Sequence, residues 1–514
     1  MYPGSFLATT PDKAALIRPT TGEEVTYREL MDNSTRIANH LRELGIGEGD
    51  TIAIVSDNDL RIFDVYWAAV RSGMYVTAVN HHLTPGEVNY ILNDCEARAV
   101  FASASVADAV SQAHEIEALA GADRRIAWGG DLDGFLDYET VRATASPDPL
   151  PRQPRGADML YSSGTTGRPK GIKPALPGIQ VDEEKDLISR VFGVVYGFGP
   201  DTVYLSPAPL YHAAPLRYCA MTTALGGTVV VMDRFDAEQA LSLIQEYSVT
   251  HSQWVPTMFV RMLKLPEQTR AAYDVSSLKV AIHAAAPCPA EIKRRMIEWW
   301  GPVISEYYAA TEGVGITVIG SEEALTHPGS VGRAVLGIVH ICNEAGDDLP
   351  VGEVGTIYFE RDEATFVYHN DPDKTKAAQH PDHEWWTTTG DLGYLDDEGF
   401  LYLTDRKAFT IISGGVNIYP QEAENVLINH PAVYDVAVLG LPDDDLGEKP
   451  VGFVQLMADV DESADLVAEL IAFAKNDLAS FKVPDEIRFL AELPRTPTGK
   501  LVKGKLREQV LGNA

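Results

Sequence analysis

The sequence predicts an α/β protein with largely parallel sheets, extended by a small β-rich subdomain and a compact α+β carboxy-terminal domain. Three observations predict it. Short apolar runs alternate with stretches of helical periodicity through the amino-terminal half. Between Val331 and Tyr402 the texture changes to short segments punctuated by Gly, Asp and Pro, which favours hairpins. Beyond Asp405-Arg406-Lys407 a short tail again mixes strand-like runs with helices.

In chain order, Leu30, Ile37, Leu41 and Leu44 recur at helical spacing and Gly45 stops that helix. Residues 51–55 follow as a short buried strand. A second helical run through Trp67 and Val70 ends at Gly73, before a strand over 75–79, and Val100-Phe101 continues the alternation. Gly226-Gly227 precede a strand over 228–232, and 278–282 is a further strand candidate. In the β-rich stretch, 354–359 and 399–402 read as strands. In the tail, 433–439 and 451–456 read as strands and 466–478 as a helix. These readings give a body over 1–404, a hinge over 405–409 and a small domain over 410–514.

Composition narrows the function classes. The 514 residues carry 42 Lys and Arg against 74 Asp and Glu, a net charge of −32. Such an acid excess repels a phosphate backbone or an anionic membrane, so nucleic acid is a poor partner. Hydrophobic residues make up 45%, enough for real cores. Cys95, Cys219, Cys288 and Cys342 form neither a disulfide framework nor a CxxC metal site. The apolar stretch 211–232 is interrupted by Arg217 and Gly226-Gly227, so no membrane span is expected. The amino terminus lacks the basic-then-apolar run of a signal peptide, and a cytoplasmic location is expected.

The strongest local signal is Tyr161-Ser162-Ser163-Gly164-Thr165-Thr166-Gly167-Arg168-Pro169-Lys170-Gly171. Its glycines free the backbone to curl, so that N–H groups converge on anionic oxygens, while hydroxyls and two cations add donors. That composition suits a polyphosphate cradle. The Walker spacing is absent, because Pro169 precedes Lys170 and Gly171 follows it. Taken singly, the run also reads as a Ser- and Gly-rich surface loop.

Downstream lie Pro209-Leu210-Tyr211-His212, Tyr308-Ala309-Ala310-Thr311-Glu312, Thr389-Gly390-Asp391, Asp405-Arg406 and Pro494-Arg495-Thr496-Pro497-Thr498-Gly499-Lys500. In this order the motifs resemble the signatures of the adenylate-forming superfamily, and within it most resemble AMP-forming acyl-CoA ligases. The resemblance covers nearly the whole chain. It implies a two-step reaction on a fatty, aryl or polycyclic carboxylic acid with ATP, Mg²⁺ and CoA, and a small carboxy-terminal lid that rotates between the steps.

The resemblance also implies roles. Ser162, Ser163, Gly164, Thr165, Thr166 and Gly167 would hold the β- and γ-phosphates, with Lys170 as a supporting cation. Glu312 would be the magnesium ligand, and Thr311 would bond the α-phosphate. Tyr308, beside Tyr307 and with Ala285, Ala286 and Pro287, would hold adenine. Asp391 and Arg406 would take the ribose. Lys500 would touch the substrate carboxylate and the α-phosphate together, stabilising charge that builds in the first step. His212 occupies the aromatic position near the acyl carboxylate. Tyr211, Trp254, His283 and Ala284 would line the acyl pocket, and Ser413, Gly414 and Gly415 the CoA tunnel. Cys288 has no arrangement that would make it a nucleophile.

The chain departs from the family pattern at three places. Ala309 and the Ala285 region stand where glycine is usual. Ala408-Phe409 replaces the usual charged hinge. The segment after Gly171, 172–178, reads as a substrate-covering loop. Two rivals accompany the reading: an adenylating enzyme that passes the acyl group to a carrier protein, and a non-catalytic nucleotide-binding relative. A homodimer is compatible with either.

Overall fold

Every residue of Thr51–Val55 and Tyr75–Val79 is buried, as predominantly apolar runs require when helices cover both faces of a parallel sheet. The two strands pair in parallel, with Thr51 opposite Tyr75 and Val55 opposite Val79. On its other side Thr51–Val55 pairs in parallel with Ala97–Ser103. Arg125–Trp128 and Leu136–Asp137 extend one edge, and Ala157–Asp158 the other, giving an all-parallel six-stranded sheet. Gly156 introduces the last strand because nothing larger fits: a Cβ there would stand 2.1 Å from the Met74 carbonyl oxygen.

The computed structural model describes residues 1–162, 169–406, 409–413, 416–443, 446–496 and 501–512. The chain divides into two compact units. The first comprises Met1–Gln253, Pro266–Ala281 and Thr365–Lys376; the second comprises Trp254–Leu265, Ile282–Ala364 and Ala377–Ala514.

Besides the parallel sheet, the first unit contains Val203–Ser206 paired in parallel with both Thr228–Val231 and His251-Ser252. Thr228–Val231 pairs in parallel with Ala14–Arg18, which turns back antiparallel to Glu23–Thr26. Helix Tyr27–Glu43 begins three residues before its apolar periodicity. Thr26 and Glu29 form a reciprocal capping box that satisfies the first N–H groups. A separate three-stranded antiparallel sheet joins Leu160–Ser162, Lys170–Lys173 and Val367–Tyr368. Ile172 and Lys173 therefore belong to a strand, and the segment becomes loop only from Pro174.

In the second unit, Ile304–Ala309 runs antiparallel to Ile316–Gly320, followed by Ser330–Leu336, Leu401–Arg406, Asp391–Leu395, Gly355–Glu360 and Ile338–Cys342. This is the hairpin-rich texture expected after Val331. The same unit contains a second sheet of Val416–Ile418, Ile411–Ser413, Gly447–Leu456 and Val433–Asp443, with Glu486–Phe489 parallel to Gly447–Leu456. Helices Pro420–Leu427 and Ala464–Asp477 pack on it through Leu427, Leu466, Leu470 and Ala474. Of the expected hinge, Lys407 and Ala408 lie outside the described residues.

Candidate active site

Strand Ile304–Ala309 is buried at its first four positions and half-exposed at Tyr308 and Ala309. The Tyr308 hydroxyl donates to Asp391 Oδ2 at 2.7 Å. Thr389 Oγ1 donates to the same oxygen at 2.8 Å. Gly390, at φ +82°, makes the turn that lets Thr389 reach past it to Asp391. Asp391 opens a strand in which it faces Arg406 across the ladder, so the two residues expected at the ribose are register partners. The Arg406 side chain lies outside the described residues, as does that of Ser162. Ser163, Gly164, Thr165, Thr166, Gly167, Gly414, Gly415 and Lys500 lie outside them entirely.

Ala285 adopts φ +75°, the left-handed region in which a Cβ crowds the following carbonyl. This is one of the positions where the family usually has glycine. Ala285 and Pro287 are exposed, Ala286 half-buried, and Thr311 and Glu312 half-buried in the loop after Ala309. Tyr307 is buried.

Strand and helix meet behind this surface in a buried ion pair that the sequence reading missed. Lys293, on helix Ala290–Trp300, donates to Glu306 Oε2, and both residues are only 4% exposed. Burial disfavours the ammonium, but the Glu306 carboxylate more than offsets it and holds the Lys293 pKa above its ordinary value. His283 Nδ1 lies 3.8 Å from Glu306 Oε1, and the ring packs edge-on to Phe259. Burial, reinforced by Lys293, pulls the His283 pKa well down, so the imidazole is neutral. The resemblance implies that His283 and Trp254 line the acyl pocket. Both are fully buried, Trp254 edge-on to Trp300, and in this conformation neither presents surface to an open cavity. Ala284 is 3% exposed, so the accessible part of this segment begins at Ala285. Burial also pushes the Cys288 thiol up to about 12, which leaves it protonated and unreactive at neutral pH.

In the first unit, Lys170 stands opposite Ser162 in the hairpin, so the register closes the two ends of the phosphate-loop motif against each other. Its ammonium lies 5.4 Å from the centre of the Tyr368 ring. His212 is the N-cap of helix Ala213–Ala224 but does not use its side chain as the cap. The Tyr211 ring packs at 4.5 Å on His212 and edge-on at 5.4 Å to His81. The Tyr211 hydroxyl is buried without a hydrogen-bond partner among the described residues. His81, which the sequence reading did not single out, bonds the Ser56 carbonyl through Nδ1 at 2.9 Å, and burial lowers its pKa. Ser413 pairs with Val416 and Gly447 in the carboxy-terminal sheet.

A tyrosine hydroxyl and a threonine hydroxyl thus fix one carboxylate oxygen of Asp391, in the same unit as the loop that carries Thr311 and Glu312. The profile of AMP-binding enzymes matches residues 5–369, and that of the AMP-binding enzyme C-terminal domain matches 422–500. The chain belongs to the AMP-binding enzymes, the adenylate-forming superfamily. It is 32% identical over 507 residues to the long-chain-fatty-acid–CoA ligase FadD13 of Mycobacterium tuberculosis, covering 97% of this chain and 96% of that protein. It is 31% identical over 500 residues to a feruloyl-CoA synthase of an Amycolatopsis species, covering 95% and 94%. Among solved structures, o-succinylbenzoate CoA synthetase from Bacillus subtilis, in complex with its acyl-adenylate intermediate, matches with a TM-score of 0.81 and 26% identity over 98% of this chain and 97% of that one. No helix among the described residues is long and apolar enough to cross a membrane.

Proposed function

We propose that this protein is an AMP-forming acyl-CoA ligase. A substrate carboxylate oxygen attacks the α-phosphorus of ATP, pyrophosphate leaves, and an acyl-adenylate remains. The CoA thiol, losing its proton, then attacks the acyl carbon and AMP leaves. The single observation that carries this reading is the Tyr308–Asp391–Thr389 arrangement. A buried carboxylate fixed through one oxygen suits a vicinal diol, and its ladder partner is Arg406.

Lys500 would supply the charge that the first step needs, since one ammonium can contact the attacking carboxylate and the α-phosphate together. Ser162, Ser163, Gly164, Thr165, Thr166, Gly167 and Lys170 would cradle the outer phosphates, and Thr311 the α-phosphate. The donors fit Mg²⁺ shared with the nucleotide. Glu312 offers one hard oxygen ligand, and the described residues contain no cluster of three or more His, Cys, Asp or Glu that would form an all-protein cage. When bound, the ion would neutralise phosphate charge. His212 and Tyr211 would border the reacting carboxylate, and Ser413, Gly414 and Gly415 the thiol path. The small side chains of Ala284, Ala285 and Ala286 favour a bulky or long acyl group. Four free, buried cysteines support a reducing, cytoplasmic setting.

Replacing Lys500 tests the assignment. Lys500→Ala should slow adenylate formation by roughly 100- to 1000-fold, the scale for one preorganised transition-state donor, while presynthesised acyl-adenylate still reacts with CoA. Equal loss in both steps would refute the role. Running the second step with CoA and with a phosphopantetheinylated carrier protein separates the ligase from the carrier-charging alternative.

A further inference from the structure

The strand Val433–Asp443 carries an irregularity at its start. Val433 pairs with Leu456 and Asp435 with Gln455, which leaves Tyr434 as the extra residue of a β-bulge. A bulge removes ladder partners from local carbonyls, which then need other donors. Lys264 supplies them. It caps the carboxy-terminal end of helix Pro256–Leu263, and its Nζ donates to the Val433 carbonyl at 2.6 Å and to the Tyr434 carbonyl at 3.1 Å. The ammonium also lies 5.1 Å from the centre of the Tyr434 ring.

The next residue transmits the grip. Asp435, 9% exposed, accepts from Arg495 through both carboxylate oxygens, with Nη2 to Oδ1 at 2.6 Å. Arg495 bridges antiparallel to Leu501, and the Val502 amide donates to the Pro494 carbonyl at 2.8 Å. Both flanks of the segment that contains Lys500 are thereby fastened to the strand that Lys264 holds. All these residues belong to the second unit.

We propose that Lys264 is a positioning residue for adenylate formation, clamping the bulge at Val433-Tyr434 so that Arg495 and the flanks of the Lys500 segment are set for the first half-reaction. This rests on the ligase reading above. A cation suits the task because its grip is reversible. Burial lowers the Lys264 pKa to about 8, with Asp435 opposing and Arg295 adding to the effect, so water would welcome the ammonium if the strand withdrew. An apolar plug would lack that balance.

The test uses the full chain and two rates, acid-dependent ATP–pyrophosphate exchange and conversion of presynthesised acyl-adenylate to thioester. Loss of charge-assisted hydrogen bonds predicts that Lys264→Met slows exchange about 10-fold, while the thioester step changes less than about twofold. Lys264→Arg should recover most of the exchange, and Asp435→Asn should reproduce the skew from the other end of the relay. A merely structural role would lower both rates together, and that result, or no change in either, overturns the proposal. If Lys264→Met does not fold, an unskewed ratio in Asp435→Asn overturns it equally. Wild-type protein that shows no exchange with any acid refutes the ligase reading itself, whereas normal wild-type exchange with unskewed variants refutes only the clamp.

Discussion

Tyr308→Phe isolates the hydroxyl that fixes Asp391. The substitution keeps the ring that would stack on adenine and deletes one donor, 2.7 Å from Oδ2. A hydrogen bond to a charged group contributes about 1.5 to 3 kcal/mol. Thr389 still holds the same oxygen at 2.8 Å, and water can enter beside the half-exposed Tyr308, so the lower end applies. About 1.4 kcal/mol corresponds to a tenfold change in an equilibrium constant. The KM for ATP in ATP–pyrophosphate exchange should therefore rise about 10-fold, with kcat changed less than about twofold, because the ribose is held alike in ground and transition states. Thr389→Val should act in the same direction. The double variant should lose more than the two single losses combined, since the carboxylate then loses both hydroxyls. An unchanged KM, or a fall confined to kcat, would refute the reasoning that these hydroxyls orient Asp391 for the nucleotide.

Other expectations follow from single groups. Ala285→Gly relieves a left-handed conformation that costs an L-residue about 1 to 2 kcal/mol, less about 0.5 to 1 kcal/mol for the extra freedom of glycine in the unfolded chain; thermal unfolding should show a net gain centred on about 0.8 kcal/mol. Burial pushes the Asp64 carboxyl up to about 7 against hydrogen bonds from Tyr138 and Asn33. Because the folded pKa exceeds the unfolded one, the stabilisation by this group is complete below about pH 4 and is lost as pH rises through about 7. Asp64→Asn should accordingly be more favourable, relative to wild type, in denaturant unfolding at pH 8 than at pH 5, and an equal effect at both would refute the assignment.

Much of the architecture was legible because burial leaves a plain pattern. The strands Thr51–Val55 and Tyr75–Val79 fall where the apolar runs, each preceded by glycine, place them. Helix Tyr27–Glu43 starts earlier than its periodicity because the capping box, present in the letters as Thr26 and Glu29, rather than the apolar face, sets its first turn. The strand expected over 278–282 runs Val280–His283, two residues later at its start, since Leu278 belongs to the turn whose amide bonds Val275.

Site residues were legible only in part. The motif order picked out Tyr308 and Asp391, but the bond between them joins positions 83 apart in the chain, a separation no local period encodes. The Lys293–Glu306 pair escaped for a related reason: a helix lysine and a strand glutamate each look like solvent-facing charges until the helix packs on the strand. The inward packing of His283 against Phe259 was not legible either, because its small neighbours in sequence say nothing of a ring that meets it from a helix. The departure from glycine at Ala285 was visible in the letters, and its consequence appears as a strained φ.

The most direct test of the account is exchange of labelled pyrophosphate into ATP, run without CoA across short, long, aryl and polycyclic acids. Reversible adenylate formation predicts exchange that requires both an acid and Mg²⁺, and a trapped acyl-AMP of matching mass. Exchange that proceeds without any acid, or no exchange with any acid while the protein still binds ATP, would contradict it.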